Sequence, residues 1–139
     1  EMVVKDIMTA RPAYVEPDTT VREVITKLFE LDVRHLPVVD DGELVGIVSD
    51  RDLRSFSYPM LDDIEVPTEA QARLDAPISQ IMHGDVASFD PETNVTEVID
   101  FMVENKIGAV PVVDPVEGKL VGIISYIDVL KAAQTLLAD

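Results

Sequence analysis

Leu36-Pro37-Val38-Val39-Asp40, a short polar turn, then Leu44-Val45-Gly46-Ile47-Val48-Ser49 is the stretch that decides the fold, because the chain repeats it. The second copy is Val110-Pro111-Val112-Val113-Asp114 followed by Leu120-Val121-Gly122-Ile123-Ile124-Ser125. Two apolar runs separated by a Gly-containing turn read as a β-hairpin. The turns are Asp40-Asp41-Gly42 and the longer Asp114-Pro115-Val116-Glu117-Gly118.

The repetition extends outward on both sides, so the whole chain is a tandem repeat. Upstream the shift is 74 residues (110 − 36) and brings Ile7-Met8 onto Ile81-Met82, Pro17 onto Pro91, and Val24-Ile25 onto Val98-Ile99. Beyond the longer second turn the shift is 76 (122 − 46), which brings Ser49 onto Ser125 and Asp52 onto Asp128. Each copy starts with an extended piece, Ala13-Tyr14-Val15 or Ala87-Ser88-Phe89. A helix follows, opened by Thr20-x-x-Glu23 or Asn94-x-x-Glu97, where a side-chain oxygen accepts from an otherwise unpaired N–H. Val21, Val24, Ile25, Leu28 and Phe29 have helical spacing, as do Val95, Val98, Ile99, Met102 and Val103, and the expectation is one buried face in each. A second helix is expected from near Asp50, with Leu53, Phe56 and Met60 on one face. Its counterpart from near Tyr126 carries Ile127, Leu130, Ala133 and Leu137. The boundaries are therefore 1–57 for the first repeat, 58–76 for an acidic connector broken by Pro59 and Pro67, and 77–139 for the second repeat. Within the connector, Thr68-Glu69-Ala70-Gln71 fits a short helix ending near Leu74.

A repeat of this size is near the lower limit for an independent core. The predicted solution is an α/β (α+β) fold in which the two repeats pack with pseudo-two-fold symmetry, leaving a cleft with two similar pockets.

The order β-α-β-β-α, the hydrophobic-Pro-Val-Val-Asp strand, and the closing motifs Gly46-Ile47-Val48-Ser49-Asp50-Arg51-Asp52 and Gly122-Ile123-Ile124-Ser125-Tyr126-Ile127-Asp128 resemble cystathionine-β-synthase (CBS) repeats. Two such repeats form a CBS pair, or Bateman module. The resemblance implies an adenosine-type ligand, with Asp52 and Asp128 on the ribose and Ser49 and Ser125 at the phosphate. A carboxylate accepts from two neighbouring hydroxyls, and a helix N-terminus favours phosphate. By the same resemblance Ala13 and Leu36 with Pro37, and Ala87 and Val110 with Pro111, clamp the adenine. The residues by themselves also fit plainer roles: first-turn acids for the two aspartates, N-caps for the two serines. Thr9 and His83, at equivalent positions after the Ile-Met pairs, are further candidates near a ligand.

The copies differ where phosphates would lie. Arg34-His35 precede Leu36 but Gly108-Ala109 precede Val110, and Arg51 matches Ile127. In some nucleotide-binding members of the family basic residues at this place meet phosphates, so the resemblance makes Arg34 and His35, with Arg51 beside them, candidate phosphate contacts in the first repeat alone, against the plainer readings of surface ion pairs and a packed neutral histidine. The two pockets are expected to be unequal. So few cations suit AMP or ADP better than ATP, with S-adenosylmethionine or NAD as further candidates.

A net charge of −16 argues against free nucleic acid as a partner. No apolar run reaches the roughly 18 residues of a membrane span. With no cysteine there is no thiol or zinc-thiolate chemistry, and His35 and His83 lack metal-ligand spacing. Neither a Gly-x-Ser-x-Gly elbow nor a Walker loop occurs. The expectation is a cytoplasmic, non-catalytic regulatory module without a cofactor. It would sense cellular energy state through an adenosine nucleotide and act on an effector protein whose identity is unknown. The competing expectation is a dimerisation scaffold with vestigial pockets. A homodimer is expected in either case, with exposed apolar residues such as Phe56 or Leu137 marking its surface.

Overall fold

A computed structural model describes residues 1–56 and 68–138 of the chain. The element order is α1 (Val4–Ile7), β1 (Thr9–Ala10), α2 (Val21–Leu31), β2 (His35–Asp40), β3 (Glu43–Ser49), a 3₁₀ turn (Arg51–Phe56), α3 (Thr68–Leu74), a second 3₁₀ turn (Ile78–Gln80), α4 (Val95–Asn105), β4 (Ala109–Val113), β5 (Leu120–Ser125) and α5 (Tyr126–Leu137). Both hairpins and both long helices of the tandem repeat are present, and α3 coincides with the short helix expected in the connector. The first closing element is a 3₁₀ turn rather than an α-helix. The side chain of Phe56, and Met60 with Pro59 and Pro67, lie outside the described residues.

Local chemistry explains the element ends. The Thr20 hydroxyl accepts from the Glu23 N–H, and the Asn94 side chain from the Thr96 N–H. Both helices end on a residue with positive φ, Asp32 and Lys106, each turning the chain out of the last turn in the left-handed conformation. In the first hairpin Asp41 and Gly42 both have positive φ, the pair of conformations that a two-residue type I′ turn requires.

The chain forms two compact units, and these cut across the sequence repeats. One unit, here the first, comprises Ala13–Asp41 and Val45–Val86. The second comprises Glu1–Pro12, Gly42–Leu44 and Ala87–Asp139. Each repeat thus gives its opening Ile-Met segment to the unit built mainly from the other repeat. In the second unit β1 pairs antiparallel with β5, Thr9 facing Ile123, and β5 pairs with β4. In the first unit β2 pairs with β3, and His83 bridges antiparallel to Ile47. Matching parallel bridges, Val15 to Val38 and Phe89 to Val112, tie the extended pieces to the hairpins.

Each unit has its own core. Val24, Leu28, Leu36, Val38, Val48 and Ile78 centre the first, and Val98, Met102, Val110, Val112, Ile124 and Val4 occupy the equivalent places in the second. Phe89 and Phe101 add an edge-to-face ring contact, with centroids 5.4 Å apart. Two helical positions correct the sequence reading. Phe29 and Val103 have the spacing of buried residues but are 87% and 70% exposed. Each stands one residue beyond the last buried position of its helix, Leu28 or Met102, so the 100° step carries it off the core face. Helix α5 buries no residue fully: Leu130, Leu136 and Leu137 are all exposed.

Candidate functional site

Each unit brings together the Ser and Asp of its closing motif. In the first unit β3 ends at Ser49, and Asp52 lies in the first turn of the 3₁₀ segment. The Ser49 N–H donates to Asp52 Oδ2 at 2.9 Å, and the Asp52 N–H returns a bond to Ser49 Oγ at 3.3 Å. The second unit repeats the arrangement: Ser125 N–H to Asp128 Oδ2 at 2.9 Å, and Asp128 N–H to Ser125 Oγ at 3.3 Å. These are reciprocal caps, so the plainer capping role is present in both copies. Capping does not exhaust either carboxylate, whose two oxygens carry about four acceptor directions.

The remaining oxygen in each copy meets a residue from the exchanged segment. His83 Nε2 lies 2.9 Å from Asp52 Oδ1. The Thr9 hydroxyl donates to Asp128 Oδ1 at 3.2 Å. Two glycines make this approach possible. A Cβ on Gly46 would stand 2.5 Å from Met82 Sδ and 3.1 Å from the His83 carbonyl oxygen. On Gly122 it would stand 2.5 Å from Met8 Sδ and 3.1 Å from the Thr9 carbonyl oxygen. In the sequence the two glycines stand at equivalent positions three residues before Ser49 and Ser125, and only the structure sets them against the Ile-Met segments.

The start of each hairpin is tied to the same turn. The Asp50 N–H donates to the Arg34 carbonyl, and the Tyr126 N–H to the Gly108 carbonyl, both at 2.9 Å. Arg34 and His35 are thereby drawn to the Ser49–Asp52 turn. Arg34 and Arg51 are exposed and, among the described residues, form no ion pair. His35 is half-buried. Ala13 and Ala87 are exposed, each two residues before the parallel bridge to its hairpin. Leu36 and Val110 point into the cores, and Pro37 and Pro111 are buried beside them. At these four positions the backbone and the edges of the buried side chains are what remain for a ligand.

Electrostatics also separate the copies. Burial pushes the Asp52 carboxyl up, but hydrogen bonds from His83 and from the Ser49 backbone and hydroxyl, with the charge of His83, outweigh it and leave a net lowering. Asp52 is therefore a carboxylate throughout the neutral range. Burial is the largest influence on His35 and lowers its proton affinity, aided by Arg34 and opposed by Asp50 and Asp52. The unfolded chain then takes up a proton near the ordinary value of 6.5 while the folded chain resists it. His35 thus contributes stability that is complete above that value and is lost as pH falls below it toward the lowered folded value. The melting temperature of the wild type is expected to drop between about pH 7.5 and 5.5 more steeply than that of His35→Gln. Parallel curves for the two proteins would remove His35 from the account. Asp52 acts in a lower window, below 3.8, where its stabilisation is lost on protonation.

Among the described residues no group of His, Asp and Glu is arranged to hold a metal ion. Among the same residues no helix is long and apolar enough to cross a membrane.

The model of the CBS domain matches residues 4–58 and 78–135. The CBS domain-containing protein YhcV of Bacillus subtilis is 32% identical over 126 residues, covering 90% of this chain and 81% of its own. Among solved structures, CBSX2 in complex with AMP superposes with a TM-score of 0.84 at 30% identity, over 99% of this chain and 100% of its own. The CBS domain pair of MJ0100, in complex with 5′-methylthioadenosine and S-adenosyl-L-methionine, gives 0.76 at 27% identity, over 96% and 97%.

Proposed function

This chain belongs to the CBS domain family, and we propose that it is a regulatory module binding adenosine-type ligands at its two Ser–Asp turns rather than an enzyme. The observation that carries the reading is the duplicated turn itself. In each unit a backbone N–H and a neighbouring donor orient a carboxylate while leaving it acceptor capacity, which is what a ribose cis-diol requires. Asp52 and Asp128 are the ribose acceptors in this reading, with Ser49 and Ser125 toward the phosphate. Arg34 and Arg51 supply cationic contacts in the first unit, and His35, whose proton affinity burial lowers, a hydrogen-bonding ring beside them. Ala13, Leu36 and Pro37 border the base there, as Ala87, Val110 and Pro111 do in the second unit. That the relatives include proteins crystallised with AMP and with S-adenosyl-L-methionine supports an adenosine moiety as the common element.

Regulation follows if the ligand has unequal affinity for two states of the module and so shifts their populations toward the one an effector protein reads. AMP or ADP fits the sparse cations of the first unit better than ATP. The test is thermal: AMP at 100 times its dissociation constant stabilises a protein that binds it by about 2.7 kcal/mol. The melting temperature is expected to climb with AMP concentration. A midpoint that stays put at millimolar AMP, ADP and S-adenosylmethionine rejects the sensor reading.

The exposed apolar residues of α5, with Leu137 at 82%, favour a second reading, in which the module is chiefly a homodimerisation scaffold. A protein whose melting temperature follows its own concentration but no adenosine ligand belongs to that reading.

A further inference from the structure

We propose that His83 is a titratable positioning residue for Asp52, which makes nucleoside binding at the first unit's turn pH-responsive while binding at Asp128, held by Thr9, is not. The inference deepens the proposed function and rests on Asp52 as a ribose acceptor.

Positions 9 and 83 are equivalent in the repeat (83 − 9 = 74), and each reaches the aspartate of its own compact unit. The chemistry at the two places differs. A threonine hydroxyl holds its proton across the physiological range, so Thr9 donates to Asp128 at any pH the protein meets. An imidazole gains and loses a proton there. Protonated, His83 offers Asp52 Oδ1 a charge-assisted N–H at 2.9 Å. Neutral, it keeps that donor in one tautomer; in the other it turns a nitrogen lone pair toward the carboxylate and the contact is repelled. Proton uptake therefore tightens the hold on Asp52.

The geometry turns that hold into ligand affinity. The backbone on either side is fixed, since the His83 N–H donates to the Ile47 carbonyl at 3.0 Å and the Ile47 N–H to the His83 carbonyl at 3.1 Å. The ring is 67% exposed, while the carboxylate is only 19% exposed. With Ser49 on Oδ2 and His83 on Oδ1, each oxygen keeps one free acceptor direction, as a pair of neighbouring hydroxyls demands. A carboxylate already oriented this way loses less freedom when the ribose arrives. The charged and titratable groups of this locality are Asp50, Arg51 and Asp52 after β3, Arg34 and His35 at the start of β2, and Asp85 on the segment of His83 itself. Strand β3 presents Ile47 to His83. Among the described residues Asp52 is the group in contact with the ring.

The experiment is calorimetry with adenosine, which has no group titrating between about pH 6 and 8, so that any pH effect belongs to the protein. The Asp128→Ala variant reports on the Asp52 turn, and Asp52→Ala on the other. In Asp128→Ala, affinity is expected to rise roughly 3- to 10-fold from pH 8 to pH 6, as the contact with the carboxylate gains a second charged partner. Adding His83→Thr, which installs the residue of the other repeat, is expected to keep binding and flatten the profile. Asp52→Ala is expected to be flat throughout. The proposal is overturned by a flat profile in Asp128→Ala or by a slope that survives His83→Thr. Absence of adenosine binding in the wild type at every pH overturns the ribose reading of both aspartates and this inference with it. Because the His83 side chain is exposed, the unliganded melting temperature of His83→Thr is expected to match that of the parent.

Discussion

Replacing both Asp52 and Asp128 by alanine is expected to abolish measurable AMP binding, with each single replacement weakening its own turn by at least about 100-fold. Two hydroxyls donating to one carboxylate make two charge-assisted bonds, each worth about 1.5–3 kcal/mol, and every 1.4 kcal/mol is tenfold in affinity. The aspartates also cap their turns through the Ser49 and Ser125 N–H groups, so alanine removes a structural contact as well. That loss is on the order of 1 kcal/mol and is visible as a lower melting temperature without ligand. The Asp→Asn pair separates the two effects. Asparagine keeps one oxygen to accept from the serine N–H but replaces the other acceptor by a donor that opposes a ribose hydroxyl. Calorimetry is expected to find Asn and Ala variants equally poor in binding while only the Ala variants melt early. Tight AMP binding by the double Asn variant would falsify the ribose assignment.

Gly122→Val is expected to be the most damaging change at the strand crossing, destabilising the protein by about 1–3 kcal/mol through overpacking. The first added carbon already meets Met8 Sδ and the Thr9 carbonyl, and the backbone oxygen has no rotamer with which to move aside. The strain falls on β1, which pairs with β5 at this residue, Ala10 facing Gly122. Thr9 is then displaced from Asp128, so ligand affinity at that turn falls together with stability. Met8→Ala should return part of the loss, because it removes the sulfur but leaves the carbonyl contact. Denaturant unfolding of the single and double variants measures the coupling. Strictly additive effects would show that Gly122 and Met8 do not press on one another.

The hairpins, the helix starts and the Ser–Asp turns were legible because their determinants are local. Asp41-Gly42 specifies a tight turn, Thr20 and Asn94 specify helix starts, and Ser-x-x-Asp closes a cap within four residues. Two features were not legible. The exchange of the Ile-Met segments leaves no trace in a self-comparison, since Ile7-Met8 aligns with Ile81-Met82 whichever hairpin each one joins. The outward positions of Phe29 and Val103 escape a periodicity argument, because a helical stripe one residue wider has nearly the same spacing. For the site, residue types at 52, 128, 49 and 125 pointed to acceptors and caps, but the donors Thr9 and His83 come from a distant part of the sequence and stood only as neighbours of a motif. Only the register of His83 on Ile47 and of Thr9 on Ile123 joins them to the carboxylates.

The exchanged segment also sets an order of assembly as the chain leaves the ribosome. The first unit has all its parts once residue 86 has emerged. The second begins with residues 1–12 but closes only when β5 arrives, since Thr9 pairs with Ile123 across 114 residues (123 − 9). At about 5–20 residues per second the opening segment waits roughly 6 to 23 seconds for its partner. Val4, wholly buried at the end, is uncovered for all of that time, with Ile7 and Met8 beside it. Joining the ends closes a long loop, a slow step that contributes nothing until it is complete. Residues 1–12 are therefore made before either unit can form, and they find their place only after the first unit has all its parts.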